Sequence, residues 1–288
     1  MRVVRTDDVT AFLDLAGPLL RRDEARNNLV LGLVASIVAD PRAHEEHDAW
    51  IALDPGPVAA AIRTPPRQLL VADAAEPSAI EPLVHAIAED APTLPGATGN
   101  RPTIDDFGQA WTRTTGRVAR VGSDLTVFAL RRVAEVHRAP GSMRAAVRED
   151  RDLLVAWLRE FTAEAPLPDE IVANELETFL EGRLEARNAG YRLWEADSRP
   201  VSLAGFIGPR QDGARIGPVY TPSEHRGAGY ARSLLAELAR ELLDRGYHAC
   251  YLASDDDNRA ATALYTSVGF EPVAHAAMIV FERSSPAS

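Results

Sequence analysis

The residues best suited to chemistry form a glycine-containing loop that joins a predicted strand to a predicted helix. The loop reads Thr221-Pro222-Ser223-Glu224-His225-Arg226-Gly227-Ala228-Gly229-Tyr230-Ala231. Glycines let a backbone approach a phosphate closely, and the free amides and positive dipole end of the following helix face such a ligand. Because each hydrogen bond to a charged oxygen contributes about 1.5–3 kcal/mol, several amides would hold a pyrophosphate without a lysine. This loop, called the anion loop below, is therefore predicted to bind a pyrophosphate or a similar anion.

The same loop argues against two common nucleotide sites. Its sequence has no Walker lysine, and Arg232 stands where a dinucleotide-binding fingerprint has its third glycine. Nucleotide hydrolysis and NAD binding are both disfavoured. Just before the loop, Pro218 interrupts a predicted strand, and a proline inside a strand marks an edge, a bulge or a local parting of strands.

A second motif lies downstream of the loop. Tyr251-Leu252-Ala253-Ser254 reads as a strand, and an acidic turn then leads to Asn258, a short helix and the turn Gly269-Phe270. Between the two motifs, apolar residues at helical spacing predict a helix from Gly229 to Arg245 that stops at Gly246. The order is therefore strand, anion loop, helix, strand, Asn, helix.

Together the two motifs resemble the GNAT superfamily of N-acyltransferases. Its signature, Arg/Gln-x-x-Gly-x-Gly/Ala, is matched by Arg226, Gly229 and Ala231. The resemblance implies an α/β fold with a mixed sheet flanked by helices, and acetyl-CoA or another acyl-CoA as co-substrate. The residues that it implies for CoA binding are Val219, Tyr220 and Thr221 at the pantetheine arm, and Arg226, Gly227, Ala228, Gly229, Tyr230 and Ala231 at the pyrophosphate.

The resemblance also implies roles for two residues of the second motif. Asn258 corresponds to a family residue that contacts the pantetheine or phosphate arm, and Tyr265 to one near the acyl sulfur. We hypothesise that Tyr265 protonates the departing thiolate, since a phenol (pKa about 10) and a thiol (about 8.5) are close enough for proton transfer. The alternative is that Tyr265 only packs on an amphipathic helix.

The general base is not identified by the sequence. Many family members carry a Glu on the central strand, but residues 215 to 221 contain no carboxylate. Glu224, Asp255 and His225 lie nearby in sequence, although charges in such loops are more often simply solvated. Water could take the proton instead.

The acceptor site is expected across the sheet from CoA, near the segment from Phe161 to Asp169. Its candidate residues are Trp157, Phe161, Glu164 and Trp194. Aromatic residues at helical spacing usually pack in a core, so each of these is more often structural than ligand-binding.

The chain reads as two similar halves. The markers Asn100-Arg101, Gly116 and Phe128 of the first half can be laid beside Asn258-Arg259, Gly269 and Phe281 of the second. We predict a degenerate GNAT-like domain over residues 1–136, because residues 54 to 99 contain no counterpart of the anion loop, and a catalytic acyl-CoA-binding domain over residues 137–288. Two strands near Val118–Val121 and Leu125–Leu130 are expected to close the first half, and a helix is expected over Asp169–Ala189.

Composition limits the other classes of function. With 288 residues, 46% of them hydrophobic and 25% charged, the chain has the balance of a globular protein, and its net charge of -11 argues against a nucleic-acid partner. The longest apolar run, Leu29 to Ala39, is about half of the roughly 20 residues that a membrane span needs. No signal peptide is recognised, and the single Cys250 and the lack of a Cys/His cluster favour a reducing cytoplasm and no metal.

Several functions fit these features. The leading interpretation is acetyl transfer from acetyl-CoA to a primary amine of a small molecule or an amino acid. Transfer of a longer acyl chain to an amino acid, acetylation of protein lysines, and a regulatory module that binds acyl-CoA without turnover are the alternatives. A homodimer is compatible with the sequence but is not indicated by it.

Overall fold

A computed structural model describes residues 1–41, 46–164, 176–208 and 212–282. Its internal contacts divide the chain into two compact units. Unit 1 consists of Met1–Val34, His44–Val127 and Val273–Ser288, and unit 2 consists of Ala35–Ala43 and Phe128–Pro272. The assignment of residues 1–136 and 137–288 as separate domains stays a prediction.

Within the described residues, each half of the chain contains ten α-helices and β-strands, and their order is the same in both halves. The first half contains β1 (Arg2–Thr6), α1 (Val9–Leu20), α2 (Glu24–Ala39), β2 (Asp48–Leu53), β3 (Pro57–Arg63), β4 (Leu69–Val71), α3 (Ile80–Asp90), β5 (Gly96–Asn100), α4 (Thr103–Thr115) and β6 (Val118–Leu130). The second half contains β7 (Ser142–Ala145), α5 (Arg151–Glu164), α6 (Leu176–Glu185), β8 (Ala189–Ala196), β9 (Arg199–Ile207), β10 (Ala214–Tyr220), α7 (Tyr230–Asp244), β11 (Cys250–Asp255), α8 (Arg259–Val268) and β12 (Glu271–Glu282). The shared order supports the predicted repeat.

Unit 1 contains a mixed sheet in the order β1-β2-β3-β4-β5-β12. Strands β4 and β5 run parallel, and the other neighbours are antiparallel. Helix α4 is amphipathic and buries Ile104, Phe107 and Trp111, and it ends at Gly116, which has a left-handed backbone (φ 71). Trp111 stacks on Phe281 of β12 at 4.7 Å between ring centroids, so the last strand of the chain completes this core.

Unit 2 contains a mixed sheet in the order β11-β10-β9-β8-β7, in which only β10 and β11 are parallel to each other. Helices α5 and α6 contribute to the core on one face, whereas α7 and α8 pack on another core that includes Phe128 and Leu130 from the end of β6. The predicted helix from Gly229 to Arg245 is confirmed as α7, whose buried residues include Leu234, Leu238 and Leu242.

Two expectations from the sequence differ from the structure. The predicted strands Val118–Val121 and Leu125–Leu130 form the single strand β6, because Gly122 and Ser123 continue the extended backbone. Within the predicted helix Asp169–Ala189, residues 169–175 lie outside the described residues, and α6 ends at Glu185. No helix in the described ranges is long and apolar enough to cross a membrane.

Candidate functional site

The central feature of unit 2 is the place where β10 and β11 part. Their parallel pairing covers only Ala214 with Cys250 and Arg215 with Tyr251. The register of β10 against β9 then shifts between Ile216 and Val219, around Gly217-Pro218. The bulge and the parting that Pro218 indicated in the sequence are both present, and they leave a gap between two central strands.

The corresponding strands of unit 1 stay together. The short strand β4 pairs with β5 along its whole length, from Leu69 opposite Ala97 to Val71 opposite Gly99. The two backbones are so close that a Cβ on Gly99 would lie 2.9 Å from the carbonyl oxygen of Val71. This strand pair therefore offers no opening like the one in unit 2.

The anion loop lies directly beyond the parted strands. Two of its turns are closed by hydrogen bonds from the His225 amide to Pro222 O (2.9 Å) and from the Arg226 amide to Ser223 O (3.3 Å). Gly227 and Gly229 then both have φ of 81°, a left-handed backbone that favours glycine.

The N-terminus of α7 carries no side-chain cap. The first amide with a partner inside the helix is that of Ser233, which donates to Gly229 O at 3.1 Å. The amides of Gly229, Tyr230, Ala231 and Arg232 precede it, and a helix leaves such amides without intrahelical acceptors. The arrangement can therefore donate several hydrogen bonds to one anion, as the sequence predicted.

The side chain of Arg226 is held beside the loop. One terminal nitrogen donates to both carboxylate oxygens of Glu164 (2.8 and 2.7 Å), and Nε donates to Thr221 O at 2.8 Å. The guanidinium also lies over the ring of Tyr220, 5.8 Å from its centroid. The hydrogen bond with Glu164 raises the pKa of Arg226, although both side chains are about half exposed. Arg226 thus fastens the loop to the end of α5.

Two glutamates of α5 contact Tyr220 of β10, a strand that contains no carboxylate residue. The Tyr220 hydroxyl donates to Glu160 Oε2 at 2.9 Å and lies 3.4 Å from Glu164 Oε1. Burial and then Glu160 raise the pKa of Tyr220 to about 12. Sequence reasoning missed Glu160, although its spacing of four residues from Glu164 places both on one face of the helix.

Tyr265 lies in the core beneath the parted strands. It is 8% exposed, and its ring packs against Phe128 (5.9 Å) and Phe270 (6.1 Å). Burial raises the pKa of Tyr265 to about 12, and the nearby Arg215 opposes this shift. Within the described ranges its hydroxyl has no hydrogen-bond partner, so a packed ring presents a proton that is not committed to another group.

Asn258 positions the helix that carries Tyr265. It is the N-cap of α8, and its Oδ1 accepts from the Ala261 amide at 3.0 Å. Gly269 ends the same helix with φ of 107°. The contact of Asn258 with a CoA arm stays a prediction, because its observed hydrogen bond is a capping one.

Residues 152–270 match the family described as acetyltransferase (GNAT) family. The match begins in α5 and extends to Phe270, so it contains the parted strands, the anion loop and Tyr265. Residues 152–270 form a GNAT acetyltransferase domain.

One curated relative is the mycothiol acetyltransferase of Kytococcus sedentarius. It is 34% identical over 89 residues, which make up 30% of this chain and 30% of that protein. The matched segment therefore spans less than a third of that relative's length.

Solved structures share the fold at low identity. A tandem GNAT protein from the clavulanic acid biosynthesis pathway aligns with a TM-score of 0.59 and 17% identity, over 99% of this chain and 100% of that one. A GNAT-family acetyltransferase from Colwellia psychrerythraea aligns with a TM-score of 0.57 and 14% identity, over 98% and 100%. These alignments confirm the predicted fold class, a GNAT-type mixed sheet flanked by helices.

The other candidates from the sequence have structural contacts in unit 2. Trp194 is fully buried and donates to Pro140 O at 3.0 Å, so it is a core residue. Trp157 and Phe161 pack edge-on against Tyr220 at 6.5 and 6.4 Å. Glu224 is exposed, and the hydrogen bond from its own backbone amide lowers its pKa, which makes it a weaker base.

The only cysteine of the sequence, Cys250, is the first residue of β11 and lies opposite Ala214 of β10. Cys250 is 0% exposed, and burial raises the pKa of its thiol from 9.0 to about 12. The folded state therefore keeps a proton that the unfolded state releases above pH 9. Stability that depends on this proton is fully present below pH 9 and declines as pH rises toward 12.

We expect the free energy of unfolding to fall by up to about 1.4 kcal/mol per pH unit above pH 9 through this thiol alone. Urea denaturation at pH 8 and pH 10.5 measures the decline, and the Cys250→Ala variant should show a shallower one. Equal slopes for the two proteins would contradict the assignment. The native thiol should also resist a thiol reagent, so such a reagent can be used to follow CoA release.

Proposed function

We propose that this chain is an N-acetyltransferase that moves an acetyl group from acetyl-CoA to a primary amine of a small molecule or an amino acid. The observation that carries the proposal is the parting of β10 from β11 immediately before an uncapped helix N-terminus. A long ligand with an anionic head suits this arrangement, since its arm can lie along the parted strand while its phosphates meet the loop amides. The name of the mycothiol acetyltransferase relative supports acetyl as the acyl group.

The assignment of CoA-binding residues is part of the proposal. The amides from Arg226 to Ala231 would hold the pyrophosphate, and the parted strand from Val219 to Thr221 would hydrogen-bond the pantetheine arm. Asn258 would contact the same arm through its Nδ2, because its Oδ1 is occupied by the helix cap. No metal is needed for any of these contacts.

The proposed reaction replaces the C–S bond of the thioester with a C–N bond to the amine. The neutral amine nitrogen attacks the thioester carbonyl carbon, the new C–N bond forms, and the C–S bond breaks with its electron pair on sulfur. Tyr265 donates its phenolic proton to that sulfur. The proton lost by the amine passes to solvent, or to Glu160 through the Tyr220 hydroxyl that donates to Glu160 at 2.9 Å. Tyr265 regains its proton from solvent after CoA leaves.

Burial makes Tyr265 a suitable acid for this step. A phenol with a pKa of about 12 would be a poor acid toward a thiolate in water. A thiol in a buried site also becomes a weaker acid, as Cys250 illustrates with its pKa of about 12. Proton transfer between two such groups is close to balanced, and Tyr265 stays protonated at neutral pH.

We also propose that the enzyme works in the cytoplasm, since its one thiol is buried and reduced.

Turnover with a panel of amines tests the proposed function. We expect acetyl-CoA to release CoA when a suitable small amine or amino acid is present, and an acyl-CoA with a long chain to react more slowly. Binding of acetyl-CoA by calorimetry without CoA release across the panel would contradict the enzyme and favour a regulatory module. A long-chain acyl-CoA that reacts faster than acetyl-CoA would change the proposed acyl group.

A further inference from the structure

Two arginines lie on the face of β10 that is turned toward α6, at the level where the strands part. Ile216 belongs to the core that contains α7 and α8, and successive strand residues point to opposite faces. Arg215 therefore points to the face covered by α6. Arg183 of α6 reaches the same level, because its Nη1 lies 3.4 Å from the carbonyl oxygen of Gly217. Arg183 and Arg215 are called the arginine pair below.

The surroundings of Arg183 leave part of its guanidinium without an acceptor. The guanidinium stacks over the ring of Tyr191, 5.7 Å from the centroid. Its Nε is buried and, among the described residues, no acceptor contacts it. A buried donor without an acceptor costs free energy, about 1–3 kcal/mol and more when the group is charged. A ligand that supplied an acceptor at this point would remove that cost.

The two guanidiniums also act on each other. Burial and then the charge of Arg183 lower the pKa of Arg215 to about 10, and Tyr265 is the group that opposes this shift. Two positive charges that repel each other inside a protein favour a further negative charge nearby. The arginine pair is thus positive, partly desolvated and within electrostatic reach of the proposed catalytic tyrosine.

We propose that the arginine pair binds a carboxylate of the acceptor, so that the substrate class is an amino acid or another amine that carries a carboxylate. This inference rests on the proposed acetyltransferase function and narrows its acceptor. A guanidinium presents its N–H donors in a fixed fork that matches the two oxygens of a carboxylate. With the carboxylate held beside Gly217, the amine of the same molecule is directed toward the thioester near Tyr265.

The position of the arginine pair separates it from the phosphates of CoA. The anion loop begins at Thr221, four residues beyond Gly217, which is about 13 Å along an extended strand. The loop already offers backbone amides to the pyrophosphate. Two acidic side chains of α5 are engaged elsewhere, Glu160 with Tyr220 and Glu164 with Arg226. The arginine pair therefore suits an anionic group at the acyl end of the gap.

Matched acceptors test the inference. Each amino acid is compared with its amide, which keeps the amine and removes the carboxylate charge, and initial rates of CoA release are measured at saturating acetyl-CoA. We expect kcat/KM for the acid to exceed that for the amide by about 30-fold or more, since charged hydrogen bonds are being compared with neutral ones. Amides of amino acids also have less basic amines, so each rate is divided by the fraction of that amine that is neutral, at a pH of about 8, which lies below the pKa of about 10 of Arg215.

Variants locate the effect. Arg183→Gln should raise KM for the acid at least about 10-fold, raise KM for the amide by much less and leave KM for acetyl-CoA unchanged, and Arg183→Lys should restore part of the loss. Arg187→Gln is the control, because it removes the same charge from an exposed side chain just beyond α6. It should change KM for neither the acid nor the amide. Equal use of acid and amide, or equal loss for both in Arg183→Gln, would overturn this inference alone. Absence of CoA release with every amine would overturn the proposed function as well.

Discussion

Replacing Gly229 with glutamate is expected to weaken acetyl-CoA and CoA binding by about 100-fold or more. Gly229 is the last residue before α7, has φ of 81°, and lies at the helix amides that have no side-chain cap. A glutamate would place a negative charge among the donors that are proposed to hold the pyrophosphate, and loss of two charge-assisted hydrogen bonds corresponds to at least this factor. Calorimetric titration of acetyl-CoA and CoA into both proteins measures the change.

Gly246→Glu is the matched control for this variant. Gly246 follows the other end of α7, has φ of 96°, and an added Cβ there would meet no atom within 4 Å. The two variants therefore share the added charge and the strain of a side chain in the left-handed region, which is of order 1 kcal/mol. Unchanged CoA binding in Gly229→Glu, or equal weakening in Gly246→Glu, would show that the loop is not the phosphate site.

The anion loop could be predicted from the sequence because its chemistry is local. The two glycines, the uncapped helix start and the proline before them act within about ten residues of chain, and each has a direct backbone meaning. The same reason explains why the ends of α7 and α8 were correctly predicted at glycines. Gly246 and Gly269 both have a positive φ, as does Gly116 at the end of α4.

The carboxylates and arginines around β10 could not be predicted in the same way. Glu160 is 60 residues from Tyr220, and Arg183 is 34 residues from Gly217, so only tertiary packing of α5 and α6 brings them together. The sequence did show that β10 has no carboxylate. The structure shows that Glu160 and Glu164, one helical turn apart on α5, place their carboxylates beside Tyr220 of β10.

Strands β6 and β12, the last of each half, show a second limit on what the sequence can predict. The spacing of Gly116 to Phe128 and of Gly269 to Phe281 indicated a repeat, and both segments are indeed strands. Their partners depend on pairing across most of the chain, since Val280 of β12 lies opposite Gly96 of β5. Gly122 appeared as a break within β6, yet the pairing environment keeps it extended. The strand propensity of individual residues does not include the effect of neighbouring strands, so it could not predict this.

Tyr265→Phe is expected to lower kcat by about 100- to 1,000-fold with little change in acetyl-CoA binding, the range for losing one general acid. The ring contacts with Phe128 and Phe270 remain in phenylalanine, and no described hydrogen bond of the hydroxyl is lost. Since the pKa of Tyr265 is raised to about 12, the wild-type kcat should not decline on the alkaline side until pH approaches that value. Below it, the rate should rise with pH as the acceptor amine loses its proton.

Tyr247→Phe is the matched control, because it removes a hydroxyl from the same core. That hydroxyl donates to Gly208 O at 2.9 Å, so its loss should reduce the free energy of unfolding by about 1 kcal/mol and leave kcat unchanged. Single-turnover measurements separate the chemical step from product release in both variants. Full turnover by Tyr265→Phe would remove the acid role and leave Tyr265 as a packing residue. A loss of kcat together with a weaker Kd for acetyl-CoA would instead place its hydroxyl in cofactor binding.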